Sequence, residues 1–296
     1  MNSAPLFSVI VPTRDRPAQL ACCVEALGKL EYPADQFEVI VIDDGGTASM
    51  AEIENGFRDK LQLTVIRQDP AGPAAARNTG ARHARGQFFA MTDDDCAPAP
   101  DWLTRLKQAF EQDPNKLYGG RTVNGLPGNR CAAASQIIID VVYALQSKLP
   151  NFPQFFATNN FALSANGFRD AGGFRESFRT SEDREFCDRW AHQGRGLAYS
   201  PDVVVYHSHS LDSAGLMRQH FNYGRGAYRF HRLRAQRGWG RFHFYGQFYS
   251  ALLQQCRGRG FTEGLSLAIL LASTQLAASA GFVRESVARG ARTVSL

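Results

Sequence analysis

An α/β fold, a mixed but mainly parallel sheet flanked by helices, is predicted by three features of this sequence. Short apolar runs of strand length, most of them β-branched, alternate with helical periodicities between Phe7 and Met91. Two of these runs end abruptly in carboxylates, Asp43-Asp44 and Asp93-Asp94-Asp95. The order is strand, helix, strand, strand, helix, strand, which needs crossover connections, and crossovers give parallel pairing. Ligands of such sheets bind beyond the carboxyl ends of the strands, and both acidic groups fall there.

Phe7 to Thr13 is a β-branched run closed by Pro12, the signature of a buried strand. Arg14 to Pro17 makes a turn, and Leu20, Val24, Leu27 and Leu30 then share one helical face. Phe37 to Ile42 is a second strand, ending at Asp43-Asp44 and followed by Gly45-Gly46. Leu63 to Ile66 is a third, and Pro70 to Pro73 turns into an Ala-rich helix from Ala74 to Ala84 that carries Arg77 and Asn78. Gln87 to Met91 is the fourth strand, and Pro98 stops its continuation beyond the three aspartates. Much later, Val203 to Val205 leads a last strand that closes in His207 and His209.

With 296 residues, 44% hydrophobic and 21% charged, the chain can bury a large core and does not read as disordered. Its six cysteines show neither a Cys-x-x-Cys pair nor metal-ligand spacing, so they are expected as mostly buried thiols in a reducing compartment. Met1 to Leu6 has no basic start and no long apolar core, which predicts a cytoplasmic catalytic part. The net charge of +5 is unevenly placed. From Ser213 to Leu296 twelve Arg and no Lys face two Glu, a net of +10, which leaves −5 for Met1 to Asp212. The expected division is therefore a catalytic domain at 1–212 and a basic, aromatic helical extension at 213–296.

Three adjacent carboxylates repel one another, so a divalent cation or a helix N-terminus is expected to offset Asp93 to Asp95. Two acidic strand ends on one edge fit a nucleotide pocket: one carboxylate for a base or ribose, the other to hold a metal against a diphosphate. No Gly-x-Gly-x-x-Gly follows the first strand and no P-loop sequence is present, so dinucleotide and P-loop NTPase sites are not supported.

These segments together carry a resemblance. Ser8-Val9-Ile10-Val11-Pro12-Thr13, Val41-Ile42-Asp43-Asp44-Gly45, Ala76-Arg77-Asn78-Thr79-Gly80 and Thr92-Asp93-Asp94-Asp95 resemble the N-terminal half of the family 2 glycosyltransferases of the GT-A fold. Phe156 to Leu163, Gly172-Gly173-Phe174 and Ser181 to Trp190 look like the acceptor side of that family. The resemblance implies a nucleotide-sugar donor held by Pro12, Thr13, Arg14, Asp43, Asp44, Arg77, Asn78, Asp93 and Asp94. It implies a divalent metal, Mn²⁺ or Mg²⁺, on Asp95 with help from Asp93 or Asp94, and on His207, His209 being the substitute. It also implies Asp183, preferred over its neighbour Glu182, as the general base for an acceptor hydroxyl, with inversion at the anomeric carbon. A capped helix start would account for Glu182 and Asp183 without chemistry.

Processive polysaccharide synthases of the family carry Gln-x-x-Arg-Trp beyond the base. Here Asp188-Arg189-Trp190 has no Gln at that spacing, so transfer of one or a few sugars is expected, in glycan or glycolipid biosynthesis. A UDP-sugar is the default donor, with dTDP and GDP open. The contacts that set the sugar are expected from Gly119 to Asn124 and Asn159.

From Arg218 to Gly246 arginines interleave with aromatics, among them Phe221, Tyr223, Tyr228, Phe230, Trp239, Phe242 and Phe244. That pattern suits an anionic membrane surface, or nucleic acid by stacking and phosphate contact. Gly264 to Val283 is 20 residues without a charge, close to spanning length. A membrane-associating amphipathic or hairpin helix ranks first there, packing on the catalytic domain second and a true span third. The expected partners are a nucleotide sugar, a glycan or lipid-linked acceptor and an anionic membrane on the cytoplasmic face, with no nucleic acid. Two other readings remain at this stage: a sugar-nucleotide-binding protein without turnover, and a nucleic-acid-binding protein acting through the tail.

Overall fold

The structure, a computed structural model, describes residues 5–149, 152–240, 243–257 and 259–293, without the side chains of 289–293. The readings placed on Met1 to Ala4, on Phe242 and on the arginines at 241, 289 and 292 lie outside the described side chains. In chain order the elements are β1 (Phe7–Thr13), α1 (Pro17–Leu27), β2 (Phe37–Asp44), α2 (Ala51–Phe57), β3 (Leu63–Gln68), α3 (Pro73–His83), β4 (Phe88–Met91), β5 (Cys96–Pro98), α4 (Trp102–Gln112) and β6 (Leu117–Asn124). They continue with α5 (Arg130–Gln146), β7 (Phe161–Ser164), α6 (Ala165–Asp170), α7 (Glu182–His192), β8 (Leu197–His207), α8 (Ser213–Gln236), α9 (Gly246–Gln254) and α10 (Phe261–Thr293). The chain divides into two compact units, Met1–Gly125 with Gln154–Ser208, and Leu126–Pro153 with His209–Leu296.

The first unit is built on an eight-stranded sheet in the order β3-β2-β1-β4-β7-β6-β8-β5. β1 pairs in parallel with β2 and β4, and β2 with β3, as the crossovers require. β7 runs antiparallel to β4 and β6, β6 is parallel to β8, and β5 is antiparallel to β8. β2 is buried along its whole length, which is why its centre, Val39 to Ile42, is unbroken Val and Ile instead of alternating. α1 opens on Pro17, whose missing N–H costs nothing at a first turn, and buries Leu20, Cys23, Val24 and Leu27 on one face. Trp102, Leu103, Leu106, Ala109 and Phe110 make the equivalent stripe on α4.

β2 extends two residues beyond the expected strand and takes in Asp43 and Asp44, paired across from Arg67 and Gln68 of β3. β8 begins at Leu197, well before the expected Val203. Its register against β6 shifts between Gly120 and Arg121, so Pro201 to Val203 are left out of the ladder. A proline cannot donate to a ladder, so it sits where the pairing is interrupted. Four cysteines, Cys23, Cys96, Cys131 and Cys187, are buried; Cys22 is exposed, Cys256 half-buried, and all six are free thiols.

The second unit is helical. Ala134, Val141 and Leu145 of α5, Leu252 of α9, and Leu267 and Leu271 of α10 form its apolar cluster. α8 and α10 cross at two glycines: a Cβ on Gly224 would lie 1.8 Å from the Ala278 carbonyl oxygen, and one on Gly281 1.9 Å from that of Phe221. Beside the crossing, Glu285 of α10 is buried and accepts from Arg225 Nε at 3.0 Å and Arg229 Nε at 2.7 Å.

Candidate active site

Every parallel strand of the first unit ends on one edge of the sheet, and the acidic triplet sits there because β4 stops at Met91. Thr92 N–H still donates to the Ile10 carbonyl at 3.3 Å, which carries Asp93 to Asp95 alongside the end of β1. Thr13 Oγ1 then donates to Asp94 Oδ2 at 2.7 Å. Arg16, just past β1, donates from Nη1 to Asp94 at 2.7 Å and from Nη2 to Asp95 at 2.6 Å. On the other side, Cys96 of β5 pairs with His207 of β8, and that register brings His207 Nε2 to 3.1 Å from Asp95 Oδ1.

A second charged group is joined to the first by Arg77 of α3. Its guanidinium is buried and donates to Asp93 Oδ1 at 2.5 Å and to Glu182 Oε1 at 3.1 Å. Its Nε is buried without a partner among the described residues. Glu182 is the first residue of α7 and Asp183 the second, with Asp183 Oδ1 accepting from the Arg184 N–H at 2.7 Å. Acidic residues in this first turn are favoured by the helix dipole. Ser181, which precedes them, is left-handed at φ 66°, and Asp15 is left-handed at φ 51°. They are the two non-glycine residues with positive φ among the described residues, and both adjoin this site.

Burial governs the proton affinities. Asp94 is pushed up to about 6 by burial, with the Thr13 hydrogen bond and the Arg16 charge opposing the rise. Asp95 is also driven upward by burial, but its hydrogen bond to His207, the His207 charge and Arg16 outweigh that and hold it well below the ordinary carboxylate value. His207 is raised: burial disfavours its charged form, and Asp95 more than compensates. Glu182 and Asp183 are both raised, first by burial, with Arg77 opposing in each and the Asp183 charge adding to Glu182.

The structure thus brings Thr13, Asp93, Asp94, Asp95, Arg77, Glu182, Asp183 and His207 to one region. Other expected site residues are engaged by the chain itself. Asp43 accepts from the Gly46 N–H at 2.8 Å and from Arg67 Nε at 2.8 Å. Asp44 accepts from Gln68 and from the N–H groups of Ala71 and Gly72, which fixes the turn into α3. Asn78 holds the Gly-Gly-Phe turn: its amide exchanges two hydrogen bonds with the Phe174 backbone, at 2.8 and 2.9 Å. Asn159 is buried, its backbone oxygen accepting from Thr92 and its side chain from Thr122. Pro12 is half-buried and Arg14 exposed at the end of β1. Arg189 is buried, ion-paired to Glu185, and donates to the carbonyls of Ala171 and Gly173, while Trp190 Nε1 donates to the Gly196 carbonyl. The Arg-Trp pair therefore supports the turn and the core.

Arg16 was not among the residues expected at the site. Its signal lay in charge balance, since an acid triplet at one strand end needs a cation from the neighbouring strand end, and Arg14 and Arg16 are the two on offer.

Asp95 and His207 supply a carboxylate and an imidazole within the first unit, donors that suit a divalent transition metal. Asp93, with 32% of its side chain exposed, is ion-paired to Arg77. Asp94 is buried, with one oxygen accepting from Thr13 and the other from Arg16.

Residues 8–179 match the family model described as glycosyl transferase family 2. The chain belongs to glycosyl transferase family 2. This family-2 chain is 27% identical over 234 residues to the glycosyltransferase AglE of Haloferax volcanii, covering 76% of the chain and 74% of that protein. It is 30% identical over 209 residues to the pre-mycofactocin glycosyltransferase of Mycobacterium tuberculosis, covering 68% of the chain but 42% of that protein. With the hyaluronan synthase of Pasteurella multocida it shares 30% identity over 68% of the chain and 24% of the synthase. The match thus spans less than half the length of those two relatives. Among solved structures, the mannosyltransferase PcManGT of Pyrobaculum calidifontis, in complex with GDP-Man and Mn²⁺, superposes with a TM-score of 0.66 at 16% identity, over 95% of this chain and 88% of that one. S. aureus TarS 1–349 in complex with UDP-GlcNAc superposes at 0.55 and 19% identity, over 96% of this chain and 92% of that one. The shared architecture is the GT-A fold.

Proposed function

We propose that this chain transfers a sugar from a nucleotide-sugar donor to an acceptor hydroxyl by single displacement, with inversion. The observation that carries the reading is Arg77, whose one guanidinium ties Asp93 at the strand end to Glu182 at the start of α7. It sets the carboxylate beside the donor and the carboxylate beside the acceptor on opposite sides of one cation. The structural neighbours solved in complex with GDP-Man and with UDP-GlcNAc support the donor class.

Asp183 is assigned as the general base. It is half-buried, next to a buried arginine, with a proton affinity raised by burial, which suits a group that must take a proton near neutral pH. Glu182 is assigned to orientation, since its carboxylate is committed to Arg77. Thr13, Arg14 and Pro12 border the donor side at the end of β1. Asp43 and Asp44 shape that side through the loops they fix, and Asn78 does so by holding the turn that leads toward α7. Asp95, His207 and Asp93 would hold a divalent cation, Mn²⁺ or Mg²⁺. When bound, that cation stabilises the charge developing on the leaving diphosphate.

Release of nucleotide from a panel of sugar nucleotides, with Mn²⁺, Mg²⁺ or EDTA, tests this for wild type and Asp95→Ala. Metal-dependent release of one nucleotide, lost in the variant, is the expected result. Asp183→Asn should keep donor binding by calorimetry and lose transfer by roughly 10²–10⁴-fold. If every sugar nucleotide is neither bound nor hydrolysed, the reading fails.

A further inference from the structure

The exposed large apolar side chains of the second unit are concentrated on one helix. Phe261, Leu265, Ile269, Leu276, Val283 and Val287 all lie on α10 and are all at least half exposed. At the helical repeat they fall within an arc of about 80° and run about 39 Å along the axis. The opposite side of α10 is occupied: Leu267 and Leu271 enter the cluster with α5 and α9, Thr274 is fully buried, and Glu285 is ion-paired to Arg225 and Arg229. The segment Phe261–Ala288 has a mean hydropathy of 1.6, enough in length and composition to cross a bilayer. A crossing by Gly264 to Val283 would, however, carry into hydrocarbon the helices packed on that side, α8 at Gly224 against Ala278 and α5 and α9 against Leu267 and Leu271. It would also set Glu285 and its two arginines at the hydrocarbon edge. One apolar stripe and one engaged face describe a helix that lies flat.

We propose that this stripe docks α10 in the plane of an anionic membrane surface. The charge of the unit selects that occupant. Twelve arginines and no lysine face two glutamates in the sequence from Ser213 onward. Both glutamates are already taken up in ion pairs, Glu263 with Arg259 and Glu285 with Arg225 and Arg229. A second copy would set +10 against +10, whereas anionic headgroups attract such a surface while the stripe enters the acyl boundary. α9 adds Tyr249 and Leu253, exposed one turn apart, with Phe244 stacked on Tyr249 at 5.1 Å. Aromatic rings of this kind settle at the headgroup level. The docking does not depend on the transferase assignment, because vesicle binding and nucleotide release are separate readouts.

Co-sedimentation of the full chain with phosphatidylcholine vesicles, with and without phosphatidylglycerol and over a salt series, tests the docking. The comparison is with Leu265→Gln/Ile269→Gln/Leu276→Gln, whose three positions are exposed and whose fold is checked by circular dichroism. Wild type should bind the anionic vesicles, bind less as salt rises, and lose about tenfold or more in the triple variant, with nucleotide release unchanged. Absence of binding at low salt, or equal binding by the variant, overturns the proposal. So does a wild-type dimer in sedimentation velocity that the triple variant dissociates, which would give the stripe to a second copy. Resistance of the membrane-bound chain to alkaline carbonate would make α10 a span and overturn the flat orientation.

Discussion

Arg16 divides one guanidinium between two buried carboxylates, and its removal would leave Asp94 and Asp95 facing each other with Thr13, His207 and the Cys96 thiol as partners. Because the guanidinium is itself 38% exposed, the loss is discounted from that of a fully buried pair. Arg16→Ala should cost about 1–3 kcal/mol in a urea titration. Arg16→Lys should recover part of it, since an ammonium reaches one carboxylate and cannot fork between two. The raised proton affinity of Asp183 has a kinetic sign. The base works ionised, so the transfer rate should fall with falling pH through a midpoint above the ordinary aspartate value of about 3.9. A pH–rate profile with its acid limb at or below that value would remove Asp183 from the role. At this scale the sequence disclosed the acids and not their partners. The triplet stood out as charge at a strand end, whereas Arg77 and the Glu-Asp pair were marked as site residues only by the family resemblance, since a capped helix start accounts for the pair without chemistry. Arg16 escaped because its two acceptors lie far along the chain, and nothing local marks a guanidinium as shared. Asp44 and Asn78 look like ligand groups in a motif, yet their hydrogen bonds go to Ala71, Gly72 and Phe174. Which backbone groups stand near a side chain is a fact of three dimensions.

Among the elements, the crossing of α8 and α10 rests on two glycines without room for a methyl group. Gly224→Ala should destabilise the second unit by about 1–3 kcal/mol, seen as an earlier thermal transition, even though alanine favours a helix. Gly56, in α2, has nothing within 4 Å of its missing Cβ. The same substitution there should stabilise by about 0.5–1 kcal/mol. Opposite signs from one chemical change would locate the effect in the crossing. Equal signs would remove the crossing as its cause. The strands of the parallel half were readable from their short apolar runs, α1 and α3 from their periodicity, composition and turn residues, and α7 only through the family resemblance. β5 has three residues and β6 contains Tyr118-Gly119-Gly120-Arg121, so neither offers a pattern until its neighbours are in place. The full length of β8 was hidden by Pro201, which sits in an interruption that only the pairing with β6 reveals.

For the molecule as a whole, acid should act on the helical unit through His220 of α8. This imidazole is 5% exposed, its Nε2 has no partner among the described residues, and burial pushes it down to about 4. Below about 6.5 the unfolded chain takes up a proton that the folded chain refuses. Its contribution is therefore complete above that value and is lost as pH falls toward 4, by about 2–3 kcal/mol. Thermal melts at stepped pH should show this slope, and His220→Gln should flatten it. The distribution of thiols gives the two units a means of being watched separately. Cys22 in the first unit and Cys256 in the second are within reach of reagent, whereas Cys23, Cys96 and Cys187 of the first and Cys131 of the second are buried. Burial and the neighbouring aspartates hold Cys23 and Cys96 protonated well beyond the usual thiol range, so they resist alkylation while the sheet is intact. Pulse alkylation along a denaturant series would therefore time the opening of each unit from its own cysteines, with no tag added to the chain.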